Sequence, residues 1–157
     1  MKKWVLYIAV LGFSSYWASN LLLWFPWSYS AMLGMTLMLT VAPLIWAYAT
    51  FLGLKSYPGP QLLKPALLIA LVFLLLSAVM DYIFFGLIRN AMDELYHPTT
   101  FYGYGFLLVW PILLAFLLKR KLSVKTHLSP KHFLQAGIAG MACFFVLVLI
   151  IILGIEI

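Results

Sequence analysis

The chain of 157 residues is 66% hydrophobic and 9% charged, with a mean hydropathy of +1.07. A soluble domain carries roughly 25% charged residues, so there are too few polar groups here to cover a water-facing surface. The net charge of +6 does not mark a nucleic-acid binder either, because the basic residues border apolar runs instead of forming a patch interleaved with aromatics.

Five apolar runs follow one another, at approximately 4–25, 31–54, 66–88, 101–118 and 133–155. Each reaches the roughly 20 residues that a helix needs to cross the hydrocarbon core. None alternates polar and apolar residues over about 10 positions, which excludes a transmembrane barrel. With no water to satisfy backbone groups, the runs are expected to be helices. The predicted fold class is therefore all-α, a polytopic bundle of five membrane helices in one domain.

The first run follows Lys2 and Lys3 and has the outline of a signal peptide. A cleavage site wants small residues one and three positions upstream, and Tyr16 and Trp17 spoil both options near Ala18 and Ser19. An uncleaved first span is expected. Pro26 is expected to end it, leaving a turn around Trp27, Ser28, Tyr29 and Ser30 before the second span. Lys55-Ser56-Tyr57-Pro58-Gly59-Pro60 cannot continue a helix, and Pro65 suits the first turn of the third span. Pro98 should stop the extension of that span, with Thr99 or Thr100 capping the fourth. Ser129-Pro130 reads as a cap followed by proline at the first position of the fifth. Pro43 and Pro111 lie inside spans and should kink them.

Charge sets the orientation. Lys2 and Lys3, Lys55 and Lys64, and Lys119, Arg120, Lys121, Lys125 and Lys131 all fall on one side of a five-span topology, and only Arg89 falls on the other. The positive-inside rule then predicts a cytoplasmic N-terminus and an outer C-terminus. It also implies a multi-pass protein of the cell (plasma or inner) membrane. The basic inner loop should attract anionic headgroups of the bilayer.

Asp81 is the one ionisable side chain well inside a span. It lies 17 residues beyond Lys64, or about 25 Å of helix, in the outer third of the core. A carboxyl there must face the bundle interior and a partner, which makes Asp81 the first candidate ligand-binding residue. Asn20, at similar depth in span one, is a second. Ser and Asn in membrane helices also serve as plain interhelical hydrogen bonds. The longest outer segment adds Glu94 and His97, three apart, beside Asp93, and an Arg89–Asp93 pair is expected four residues apart. One Glu-x-x-His at a span end does not make a metal centre, and neither metal nor cofactor is expected. Tyr102 and Tyr104 complete the candidate set. With Trp24, Trp27, Tyr29, Tyr96 and Phe101 they form an aromatic ring at headgroup depth. Gly103 and Gly105 would admit another backbone to span four, while Ala136 and Gly140 form a small-xxx-small pair for bundle packing or a homodimer face.

Redox pairs are impossible with the single cysteine, Cys143, and no nucleophile elbow, zinc motif or phosphate loop is present. The activity is not written in the sequence. The leading expectation is a small accessory or assembly-type membrane protein, not an enzyme, acting through helix–helix contacts with a membrane-protein partner or a second copy. The alternatives are a transporter or small-ligand binder with an outward site around Asp81, and a membrane enzyme on a lipid or isoprenoid. The separating observation is whether Asp81, Asn20 and the Glu94–His97 segment line one cavity.

Overall fold

A computed structural model describes residues 1–122 and 126–154, and these form helices and connecting turns. Lys125 of the basic loop and the predicted end of the last span at 155 lie outside the described residues. The order is α1 (Lys2–Tyr29), α2 (Ala31–Lys55), α3 (Leu63–Asp81) continued by a π-helical stretch (Tyr82–Ile88), a single turn α4 (Met92–Leu95), α5 (Pro98–Leu117) and α6 (Pro130–Ile152). Five of these helices are long and apolar enough to cross a membrane. The protein is an all-α membrane bundle.

Two boundaries differ from the sequence reading, both at prolines. Pro26 does not end α1, which runs on to Tyr29. Proline costs a helix one N–H and crowds the carbonyl four residues back, yet the helix continues for three residues past Pro26. The Pro26 carbonyl accepts the Ser30 N–H at 2.9 Å. Ser30 alone, in extended backbone, makes the reversal, and its hydroxyl accepts the Leu33 N–H at 3.4 Å. Gly34 makes this tight hairpin possible, since a Cβ there would lie 2.8 Å from the Trp27 Cα. Pro98 likewise opens α5 at its first position instead of closing the preceding span. His97 is then the N-cap, and neither Thr99 nor Thr100 is. The missing N–H is harmless there because first-turn donors have no intrahelical partner. Ser129 and Pro130 start α6 as expected, and the Ser129 N–H donates to Nδ1 of His132 at 3.1 Å.

α1 is the central helix, packed on α2, α3 and α6, while α5 packs on α3 and α2. α1, α2, α5 and α3 thus close a ring of four, with α6 outside it against α1. The α1–α6 seam is made by small groups. A Cβ at Gly140 would sit 2.8 Å from the Ser14 Cα, and the Ser14 hydroxyl donates across to the Ala136 carbonyl at 2.5 Å. This pair therefore serves packing within the bundle. Gly103 and Gly105, in contrast, have nothing within 4 Å of a built Cβ, so no backbone approaches α5 there.

α3 shows how the ring is oriented. Ala66, Ala70, Phe73, Ser77 and Asp81 are buried, while Leu67, Leu71, Leu75 and Val79 form an exposed stripe at every fourth position. Lipid tails are as apolar as leucine, so leucine gains little from going inside. Small and polar residues go inward, where backbones can approach and hydrogen bonds can form. That arrangement turns Asp81 into the ring.

Candidate functional site

Asp81 is the last residue of α3, where the helix widens into its π-helical continuation. There the Arg89 and Ala91 N–H groups reach the carbonyls of Phe84 and Phe85 at 2.9 and 2.7 Å. Asn90 then turns the chain with φ 51, a left-handed conformation that asparagine tolerates better than most residues. π-type insertions recur at functional sites because they re-aim the side chains beside them.

The Asp81 carboxyl is 8% exposed and is held from two sides. The Tyr16 hydroxyl of α1 donates to Oδ1 at 2.7 Å, and the Tyr104 hydroxyl of α5 donates to Oδ2 at 2.7 Å. A single carboxylate thereby ties three helices of the ring. Span one reaches it through Tyr16 and not through Asn20, whose Nδ2 donates to the Tyr16 carbonyl at 3.0 Å within its own helix.

Above this triad the ring encloses a cavity of about 670 Å³. Asp81, Asn20, Glu94, His97, Tyr102 and Tyr104 all line it. The six residues named from the sequence thus share one space, between α1, α2, α3 and α5, toward the end that carries Arg89. Its walls also include Trp24 and Trp27 of α1, Met38 and Trp46 of α2, and Phe85 and Phe106. Pro43 and Pro111 lie within α2 and α5 and cannot return an N–H to the carbonyls of Leu39 and Leu107. Both of those leucines line the cavity.

Two hydroxyls in this wall have no hydrogen-bond partner: Ser19 and Ser77, 5% and 3% exposed. Ser77 lies one turn before Asp81, and Ser19 one turn after Tyr16. A buried hydroxyl without a partner costs on the order of 1–3 kcal/mol.

The mouth holds the second polar group. Arg89 pairs with Glu94 and not with Asp93: its second guanidinium nitrogen donates to Oε1 at 3.1 Å, and the other makes a closer contact with Oε2. The expected i, i+4 spacing fails because the chain is no longer α-helical between the two, as Asn90 shows. The guanidinium also lies 4.8 Å from the centre of the Trp24 ring. Nδ1 of His97 lies 3.0 Å from the Thr99 hydroxyl. Among the described residues no three His, Cys, Asp or Glu side chains gather as a metal site would need.

The aromatic residues at the Arg89 end divide in two. Tyr29, Tyr96 and Phe101 are exposed, as an interfacial belt requires. Trp24, Trp27 and Tyr104 face the cavity, and Tyr102 both lines it and is largely exposed.

Tyr16, Ser19, Trp46 and Ser77 are not among the candidate site residues read from the sequence. A signal existed for three of them. Ser77 precedes Asp81 by four residues and Tyr16 precedes Asn20 by four, so each shares a face with a residue already singled out. Ser19 follows Tyr16 by three on that same face. Trp46 had no such marker within an apolar run. No family model matches the chain, and neither the curated proteins nor the solved structures contain a significant match.

Proposed function

We propose that this protein binds a small ligand within the membrane, in the manner of a transporter or a membrane-embedded receptor, at a site floored by Asp81. The observation that carries the reading is the common cavity. Asp81, Asn20, Glu94 and His97 line one space, and the carboxyl is fixed by hydroxyls from two other helices. An accessory protein acting through its outer surface has no use for a cavity floored by a carboxylate inside its helix ring. A volume of about 670 Å³ also falls in the range of small-molecule sites, about 300–1,000 Å³. The charge distribution supports placing the cavity mouth outside and the basic end in the cytoplasm.

Thiol accessibility tests this reading. In a background with Cys143 replaced, Asn20→Cys is expected to react with a membrane-impermeant methanethiosulfonate added to intact cells. Lys119→Cys should react only after the cells are opened. An Asn20→Cys thiol that stays unreactive from both sides would mean a sealed interior, and the accessory reading would then stand.

A further inference from the structure

We propose that the ligand is a lipophilic amine, bound as its N–H-bearing ammonium ion against Asp81 with its apolar body among the aromatic walls. This rests on the ligand-binding reading above and adds the chemical class.

The first argument is charge. Among the described residues the cavity lining contains two carboxylates, Asp81 and Glu94, one histidine, His97, and no lysine or arginine. Glu94 has its counter-ion in Arg89, and that is the one salt bridge among the described residues. Asp81 has only two neutral phenol donors. Carboxylates deep in a membrane protein are ordinarily matched by a cationic partner or by a group that travels through the site. Among the described residues Asp81 has no such partner, so a cationic ligand would complete the site. An anion would meet the uncompensated Asp81 carboxylate at the floor of the cavity.

The second argument is the hydrogen-bond inventory. Each carboxylate oxygen has two acceptor positions, and each tyrosine uses one. The Ser19 and Ser77 hydroxyls are buried in the same lining and unpartnered. A primary ammonium group has three N–H donors and accepts nothing. Asp81 keeps acceptor positions that an ammonium N–H can fill, and a quaternary ammonium has no N–H to offer them.

The third argument is size and wall chemistry. A bare inorganic cation needs a close shell of oxygens, and a cavity of about 670 Å³ walled by Trp24, Trp46, Phe85 and Phe106 is built for an organic body. Aromatic faces also attract organic cations through the ring quadrupole.

The test uses three probes with one body and three head groups: phenylbutylamine, phenylbutanol and phenylbutyrate. Purified full-length protein in nanodiscs of zwitterionic lipid is titrated by calorimetry against protein-free discs. The amine should bind saturably, and the alcohol and the carboxylate about tenfold more weakly or worse. Asp81→Asn, nearly isosteric and still able to bond both tyrosines, should erase the preference for amine over alcohol. This variant should melt near the wild type. If alcohol or carboxylate binds as tightly as the amine, the cationic class is wrong while a ligand cavity remains. If sodium or potassium ions displace the amine at equal concentration, the site is one for inorganic cations and the proposal fails. If no probe binds, the amine proposal falls, and the Asn20→Cys labelling decides separately whether the cavity reading falls with it.

Discussion

The two ends of the bundle are built from the same helices and differ in what they put between them. At the basic end the ring is filled. Trp4, Ile8, Leu54, Ala66, Ile69 and Leu122 are at most 1% exposed. The Trp4 indole N–H donates to the Gly53 carbonyl at 2.8 Å, and its ring meets Tyr57 edge-on with centroids 4.9 Å apart. At the Arg89 end, α2 and α5 carry exposed Met32, Met35, Leu39 and Tyr102, and the space between the helices is the cavity floored by Asp81. The lesson is a division of labour along the membrane normal. Interlocked apolar side chains at one end hold the ring together, so the other end can leave room around a carboxylate.

That division can be broken most forcefully at Trp4. Trp4→Ala should cost about 3–5 kcal/mol in an unfolding titration, because it empties a large buried volume and gives up the bond to Gly53. If the ends are independent, Asn20→Cys should keep its thiol reactivity in this variant below the unfolding midpoint. Loss of reactivity together with stability would show that the cavity depends on the closed end.

A smaller effect is expected at the seam of α6. Gly140→Val places its Cβ against the Ser14 backbone, 2.8 Å from Cα, where no rotamer relieves the clash. Overpacking of this kind costs about 1–3 kcal/mol. α6 lies outside the ring, so amine binding should be retained. A binding loss as large as the stability loss would place α6 in the site after all.

The outlines of this fold were legible because hydropathy and loop charge act over whole spans. The second span was expected at 31–54 and is Ala31–Lys55, and the third at 66–88 ends at Ile88. What failed was local. Pro26 and Pro98 read as helix stops in the sequence, whereas Pro26 lies inside the end of α1 and Pro98 opens α5. The partner of Arg89 was misassigned because the spacing rule assumed α-helix through a stretch that leaves it. The site was half legible. Asp81 and Tyr104 stand out by residue type and depth. Tyr16 does not, because an aromatic residue in an apolar span reads equally as packing, and only the rotation of α1 about its axis decides that its hydroxyl meets Asp81. Ser77 could have been found from the small and polar stripe of α3, which marks the interior of a membrane helix better than hydrophobicity does.

Within the open end, the tyrosine clamp should be worth less than any packing contact at the closed end. Tyr16→Phe removes one hydrogen bond to Asp81 and little volume, at a cost of about 1 kcal/mol. Its effect on ligand should be larger in proportion, since Asp81 loses one of two supports. Tyr16→Phe and Tyr104→Phe together should cost more than the sum of the two singles, because the last variant in the pair leaves the carboxyl with no donor. A strictly additive double mutant would mean that the two hydroxyls act independently and that no clamp exists.

The smallest effect is expected at the mouth, at the pair that looks strongest by geometry. Glu94→Gln abolishes the charge pairing with Arg89, yet the Glu94 side chain is 51% exposed and that of Arg89 16%. Water screens such a pair, and the ordering of two long side chains offsets part of the attraction, so exposed ion pairs contribute about 0.2–1 kcal/mol. Arg89 also keeps its place over the Trp24 ring at 4.8 Å, an interaction that does not need Glu94. The melting temperature should therefore shift slightly, and less at high salt than at low. Amine affinity should fall at low salt only, because Glu94 would act on an approaching cation through its field and not by contact. A large loss of stability that salt does not change would contradict this account: Glu94 would then be a structural tie across the mouth, and the open end would not be open by default.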